Sequence, residues 1–173
     1  MVFADVDRTL EPENQIEKEA EMKKILVATD GSELGQAAIE AGLELARDED
    51  AELVFVHVIS VFDFAPQMDG AEVPPQRIPR VEDDPVLCDA MGRAERQGLG
   101  AKAELLVGYP PKQILRLAHD IDADVIVVGS RGFGPFKSAM VGSTSREILA
   151  HADRKVLVVR DEAAREQTAV TSK

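Results

Sequence analysis

Three short runs of this chain are apolar at every position: Ile25-Leu26-Val27-Ala28, Val125-Ile126-Val127-Val128 and Val156-Leu157-Val158-Val159. A strand with one face in water alternates apolar and polar residues, whereas a strand covered on both faces reads as a continuous apolar run. Helical periods lie between the runs. Leu34, Ala38, Ala41 and Leu45 mark a helix over about 33–48, and Ile114, Leu117, Ala118 and Ile121 mark another, opened by Pro110-Pro111. Residues 52–58 and 103–107 supply two further strands, and shorter helices are expected over about 86–98 and 143–151. Strand alternating with helix, five strands in all, predicts an α/β fold: a single-domain five-stranded parallel sheet with helices on both faces. In such sheets ligands bind beyond the carboxyl ends of the strands, where strand order reverses. Asp30, Val58 and Gly129 stand at three such ends and are expected to meet at one crevice.

The segment after the 125–128 run carries the chemistry. Gly129 and Gly132 are followed, nine residues further on, by Gly142-Ser143-Thr144, a G-x2-G-x9-G-S-T pattern between a strand and a helix start. Glycines let backbone approach an anion with no Cβ in the way. The helix start offers unpaired N–H groups and the positive end of the dipole. The pattern reads as a phosphate cradle. Other phosphate loops fit less well: G-x-x-x-x-G-K-[ST] is absent, and Gly132-Phe133-Gly134 starts a G-x-G-x-x-G pattern that Pro135 breaks.

Charge narrows the partners. The net charge of −12 disfavours nucleic acid, which needs a basic face. Acidic residues spread along the chain suit a protein that must stay hydrated, as in a high-salt, halophilic cytoplasm. A phosphate site in such a protein needs local cations, and Arg131, Lys137 and Arg146 lie in or beside the glycine motif. No apolar run approaches the roughly 18–20 residues that span a bilayer. The start Met1-Val2-Phe3-Ala4-Asp5 lacks the basic and apolar parts of a signal peptide, so no membrane insertion and a cytoplasmic location are expected. Cys88 is the sole cysteine, which excludes an intrachain disulfide and a cysteine-based metal site.

Residues 1–21 are acidic with little apolar periodicity. Either they form a loosely attached extension or Met22 is the start; 22–161 is then the domain and 162–173 a polar tail. The segment 60–85 holds Pro66, Pro74, Pro75, Pro79 and Pro85 and is expected to be a long loop.

The residues Ile25 to Ser32, His57-Val58, Val127 to Gly132, Gly142-Ser143-Thr144 and His151-Ala152 through Val156 to Arg160 resemble the universal stress protein family over about 22–161. The resemblance implies a Rossmann-like fold similar to the adenine nucleotide alpha hydrolase group. The glycine motif is similar to that of the ATP-binding branch. On that resemblance Asp30 would bind ribose, and Ala28 and Val58 would line an adenine pocket. Val128 and Gly129 would touch adenosine. Arg131, Gly132, Gly142, Ser143, Thr144 and Ser145 would hold the phosphates. The implied cofactor is ATP or AMP, with Mg2+ held by the phosphates. The implied assembly is a homodimer through the last strand, about 155–160, acting on an unknown protein partner in a stress response. The chain departs from the family in its extension, in its Pro-rich insert, and in Asp153-Arg154-Lys155 where Pro-Cys-Pro is usual.

Plainer roles stand beside these. Asp30 and Glu33 have capping-box spacing, as do Thr144 and Glu147, so these side chains could simply close helix ends. Arg131 and Lys137 could be surface charges. His57 is expected in the core or at its rim, His119 and His151 at the surface, and Cys88 in inert packing. No histidines have ligand spacing, and Ser32 and Ser143 have no His partner in sequence, so neither a protein-built metal site nor a catalytic nucleophile is expected. Weak ATP hydrolysis is the enzymatic alternative, and a nucleotide-independent partner-binding regulator, for example of a transporter, is the other.

Overall fold

The computed structural model describes residues 23–60, 79–130 and 142–160. The 1–21 extension, Met22, residues 61–78 of the Pro-rich segment, Arg131, Gly132, Lys137 and the 162–173 tail lie outside the described residues. The elements run β1 (Lys24–Ala28), α1 (Glu33–Glu49), β2 (Glu52–Ser60), a single 3-10 turn (Val81–Asp83), α2 (Pro85–Arg96), β3 (Ala101–Gly108), α3 (Pro110–Asp120), β4 (Val125–Gly129), α4 (Ser143–His151) and β5 (Lys155–Val159). The sheet order is β3-β2-β1-β4-β5, and every neighbouring pair is parallel.

The side-chain period of two divides each inner strand between two cores. Ile25, Val27, Leu53, Phe55 and Val127 point to one face, where Ala38, Ile39 and Leu43 of α1 and Leu87 and Ala90 of α2 cover them. Leu26, Val54, Val56, Ile126 and Val128 point to the other, beneath Ile114 and Ala118 of α3 and Ile148 of α4. Two covered faces are why these strands carry no polar alternation. The outer strand β3 does alternate: Lys102 and Glu104 are exposed, opposite Val54 and Val56 in the register. β3 runs over Ala101–Gly108, longer at both ends than the expected 103–107. Lys102 pairs with Glu52 of the neighbouring strand.

Gly42 is the point of closest helix-to-sheet approach on the first face. A Cβ there would lie 2.4 Å from Val27 Cγ2. Val27 is fully buried and β-branched, so it has no rotamer into which to retreat. Alanine is the better helix former by about 1 kcal/mol, but overpacking costs about 1–3 kcal/mol. Gly42→Ala is therefore expected to lower stability in urea unfolding; a rise in the unfolding midpoint would show that α1 can lift off the sheet freely.

Arg154, in the segment that departs from the family pattern, is a staple. Its Nη1 donates to the carbonyls of Ala118 (2.9 Å) and Ala123 (2.6 Å), at the end of α3 and the turn beyond it. Its side chain is only 12% exposed, so these carbonyls have little access to water. Hydrogen bonds from charged donors contribute about 1.5–3 kcal/mol, and Arg154→Met is expected to lose about that much in urea unfolding. A loss under ~0.5 kcal/mol, the range of an ordinary surface change, would mean the staple is idle.

Several local expectations change. Asp30 does not cap α1: the cap is Ser32, whose Oγ accepts from Gly35 N at 3.1 Å. Asp30 instead supports that cap, because its Oδ1 accepts from Ser32 N (3.0 Å) and Ser32 Oγ (2.5 Å). The Thr144–Glu147 box is not formed either. Helix α4 starts earlier, with Gly142 at its N-cap and no side-chain cap. Cys88 is exposed rather than packed, its thiol donating to the Glu82 carbonyl at 3.2 Å. His57 sits at the rim, paired through Nδ1 with Asp84 Oδ2 at 2.9 Å; Asp84 in turn caps α2 by accepting from Leu87 N. His119 and His151 are exposed, as expected. None of the helices described is long and apolar enough to cross a membrane.

Candidate functional site

The chain winds outward from β1 through β2 to β3, then returns past β1 to form β4 and β5. The carboxyl ends of β1 and β4 are therefore neighbours from which the chain departs to opposite faces, and this is where an open α/β sheet leaves a crevice. Here it is a cleft with about 580 Å³ of free space, part of it open to solvent.

The floor is apolar. Ala28 and Val128, register partners at the ends of β1 and β4, lie side by side, and Val58 of β2 joins them. The rim is polar: Asp30 follows β1, and Thr144 and Ser145 belong to the first turn of α4. Among the described residues, none donates to Asp30 Oδ2, while Oδ1 is engaged by Ser32. One carboxylate oxygen is thus fixed by the turn, and the other has no partner among the described residues.

Gly129 closes the bottom of the cleft by contact. A Cβ at this position would lie 2.6 Å from the carbonyl oxygen of Leu34 and 2.8 Å from its carbon, so α1 begins directly against the end of β4. Three hydrogen bonds then aim α4. Ser145 Oγ donates to Gly129 O (2.5 Å), Gly142 N to Ser130 O (2.5 Å), and Ser130 N to Val159 O (2.7 Å). The chain leaves at Ser130 and returns at Gly142 through one narrow neck. Among the described residues no side chain caps the N-terminus of α4, which stands beside the cleft, and a helix N-terminus is where backbone N–H groups meet an anion.

Of the residues singled out in the sequence, the fold brings Ala28, Asp30, Val58, Val128, Gly129, Thr144 and Ser145 to this cleft. Gly142 forms its neck without lining it, and Ser143 is exposed on the first turn of α4. Arg131 and Gly132 lie outside the described residues. Five other lining residues escaped the sequence reading: Thr29, Gly35, Val56, Pro110 and Ile114. Val56 was within reach, because a period of two from Val58 puts it on the same face. Pro110 and Ile114 come from α3, and only the return of the chain across the sheet brings that helix over the crevice. Among the described residues no group of three or more His, Cys, Asp or Glu side chains could hold a metal ion.

Known proteins share this fold. Universal stress protein YxiE of Bacillus subtilis (strain 168) is 32% identical over 145 residues, which is 79% of this chain and 98% of that protein. The solved structure of hypothetical protein MJ0577 overlays with a TM-score of 0.65 at 25% identity, covering 81% of this chain and 96% of that one. The universal stress protein from Archaeoglobus fulgidus in complex with dAMP overlays at 0.58 and 24% identity, covering 79% and 96%, a likeness of fold. The profile of the Universal stress protein family matches residues 21–160, which takes in every element of the sheet and the whole of the cleft. With that match and the YxiE relationship together, this chain belongs to the universal stress protein family.

Proposed function

We propose that the cleft binds an adenine nucleotide, ATP or AMP, and that the protein acts as a nucleotide-dependent regulator of the stress response, as a homodimer. The observation that carries the reading is the pairing of an apolar floor with an uncapped helix N-terminus at a strand-order reversal. A flat base suits the floor of Ala28, Val58 and Val128, a ribose suits the Asp30 carboxylate, and phosphates suit the first turn of α4. Gly142, Ser143, Thr144 and Ser145 are the phosphate-side residues in this reading, with Arg131 and Gly132 completing the cradle and Mg2+ carried by the phosphates. That a family member from Archaeoglobus fulgidus is known in complex with dAMP fits the same chemistry. The domain in this reading is 22–161.

The edge strand β5 supports the dimer. It closes one side of the sheet, and Leu157 upon it is 40% exposed, an apolar side chain that a second copy would cover. Hydrolysis has less support: Asp30 is the one carboxylate among the described lining residues, and it stands at the ribose end, away from where a γ-phosphate would sit.

Calorimetric titration with ATP, AMP and cyclic AMP, at low and molar salt, tests the reading. ATP binding that is lost on Gly142→Val is the expected result. Absence of binding by any of the three under both conditions would move the function to a nucleotide-independent interaction module. Bound nucleotide is further expected to change protease cleavage within 60–85 and 129–145, since the switch works by coupling loop order to ligand; an unchanged cleavage map would remove the switch.

A further inference from the structure

The two walls of the cleft are tied together just outside the residues that line it. Tyr109 precedes α3 and is the neighbour of Pro110, which lines the cleft together with Ile114. Glu147 follows Thr144 by one turn on α4, and Thr144 and Ser145 line the opposite wall. The Tyr109 hydroxyl donates to Glu147 Oε2 at 2.5 Å. That length belongs to a charge-assisted O–H···O⁻ bond, stronger than one between neutral groups.

Neither side chain has a local task that accounts for its position. Tyr109 occupies the N-cap position of α3 without making a capping bond, and it is 45% exposed, so core packing does not hold it there. Glu147 has capping-box spacing to Thr144 but does not cap α4; it reaches across to α3 instead. The pair ties the residue before α3 to the second turn of α4, two helices that pack over the same core.

We propose that Tyr109 is a positioning residue for the nucleotide: its bond to Glu147 sets the width of the cleft between α3 and α4 and thereby slows release of the ligand. The proposal rests on the nucleotide reading above. It makes the α3–α4 wall a clasp on the bound molecule, separate from the residues that contact base, ribose or phosphate.

The chain has one tyrosine and no tryptophan, so tyrosine absorbance reports on this bond alone. The hydrogen bond to Glu147 and its charge hold the Tyr109 phenol above the usual tyrosine range. The experiment has two arms. Tyrosinate absorbance is titrated on the free protein, wild type and Glu147→Leu. Release of a 2-aminopurine nucleotide is followed by stopped flow for wild type, Tyr109→Phe, Glu147→Leu and the double variant. The expected results are a wild-type titration above the ordinary value that returns toward it in Glu147→Leu, and release about three- to tenfold faster in each single variant, the worth of a hydrogen bond partly exposed to water rather than of a buried charged one. The double variant should release no faster than either single one, because the two share a single interaction.

An ordinary wild-type titration would remove the tie and overturn this proposal alone. A raised titration with unchanged release rates would also overturn it, while leaving nucleotide binding intact. Failure of the wild type to bind any nucleotide would take down both readings. Tyr109→Phe keeps the ring, and should it fail to fold, Glu147→Leu carries the test by itself.

Discussion

Gly129→Ala is expected to lower both the stability of the fold and its affinity for nucleotide. An added Cβ would sit 2.6 Å from Leu34 O and 2.8 Å from Leu34 C. These are backbone atoms in the first turn of α1, and no rotamer change can move them. The turn is also held in place from its other side, because Asp30 supports Ser32 and Ser32 caps Gly35. The helix start must therefore shift away from β4 as a unit. Removing a glycine from a strand would by itself gain about 0.5–1 kcal/mol. Overpacking of about 1–3 kcal/mol outweighs it. The carbonyl of residue 129 also receives the Ser145 hydroxyl, so the shift is passed to the first turn of α4. Urea unfolding and ATP calorimetry on the same sample check both effects: a net loss of up to about 2.5 kcal/mol is expected, from the difference of the two terms, with binding weakened tenfold or more. Unchanged values in both would show that the contact between β4 and α1 is loose.

Asp30→Asn is expected to separate binding from folding. Asparagine keeps an acceptor oxygen where Oδ1 receives Ser32 N and Ser32 Oγ, so the turn and the α1 cap survive. What disappears is the charge at the rim of the cleft. If a ribose hydroxyl donates to that carboxylate, the lost bond is worth about 1.5–3 kcal/mol, or roughly ten- to a hundredfold in affinity. Stability in urea should stay within about 0.5 kcal/mol of wild type, as for an isosteric surface change. Undiminished ATP affinity in this variant would leave Asp30 with a purely structural role, as the support of Ser32. Asp30→Ala would not discriminate, because it removes that support as well.

These two positions also show where sequence reading reaches its limit. Asp30 was legible as a residue at a strand end, and Gly129 as part of a glycine motif. Spacing alone suggested that Asp30 caps α1, yet the cap is Ser32 two residues on. The difference lies in the turn: Asp30 folds back on Ser32 and lets the serine reach Gly35. The capping box at Thr144 misled for a related reason. Ser145 is recruited by the Gly129 carbonyl and Gly142 by Ser130, so α4 begins two residues ahead of where that box would start it. Both cases are competitions between a local partner and a distant one, and spacing records only the local candidate.

The sequence by itself determined the alternation of strand and helix, the burial of the inner strands on two faces, and the glycine that ends β4. Each of these depends on a period or a dihedral preference that acts within a few residues. The tertiary structure alone decided the order β3-β2-β1-β4-β5, and with it the adjacency of Ala28 to Val128. It also decided the placement of Pro110 and Ile114 over the cleft and the pairings of His57 with Asp84 and Tyr109 with Glu147. These partners stand 27 and 38 residues apart. Nothing in either local segment encodes the other. They meet because burying both faces of the sheet fixes where each helix must lie.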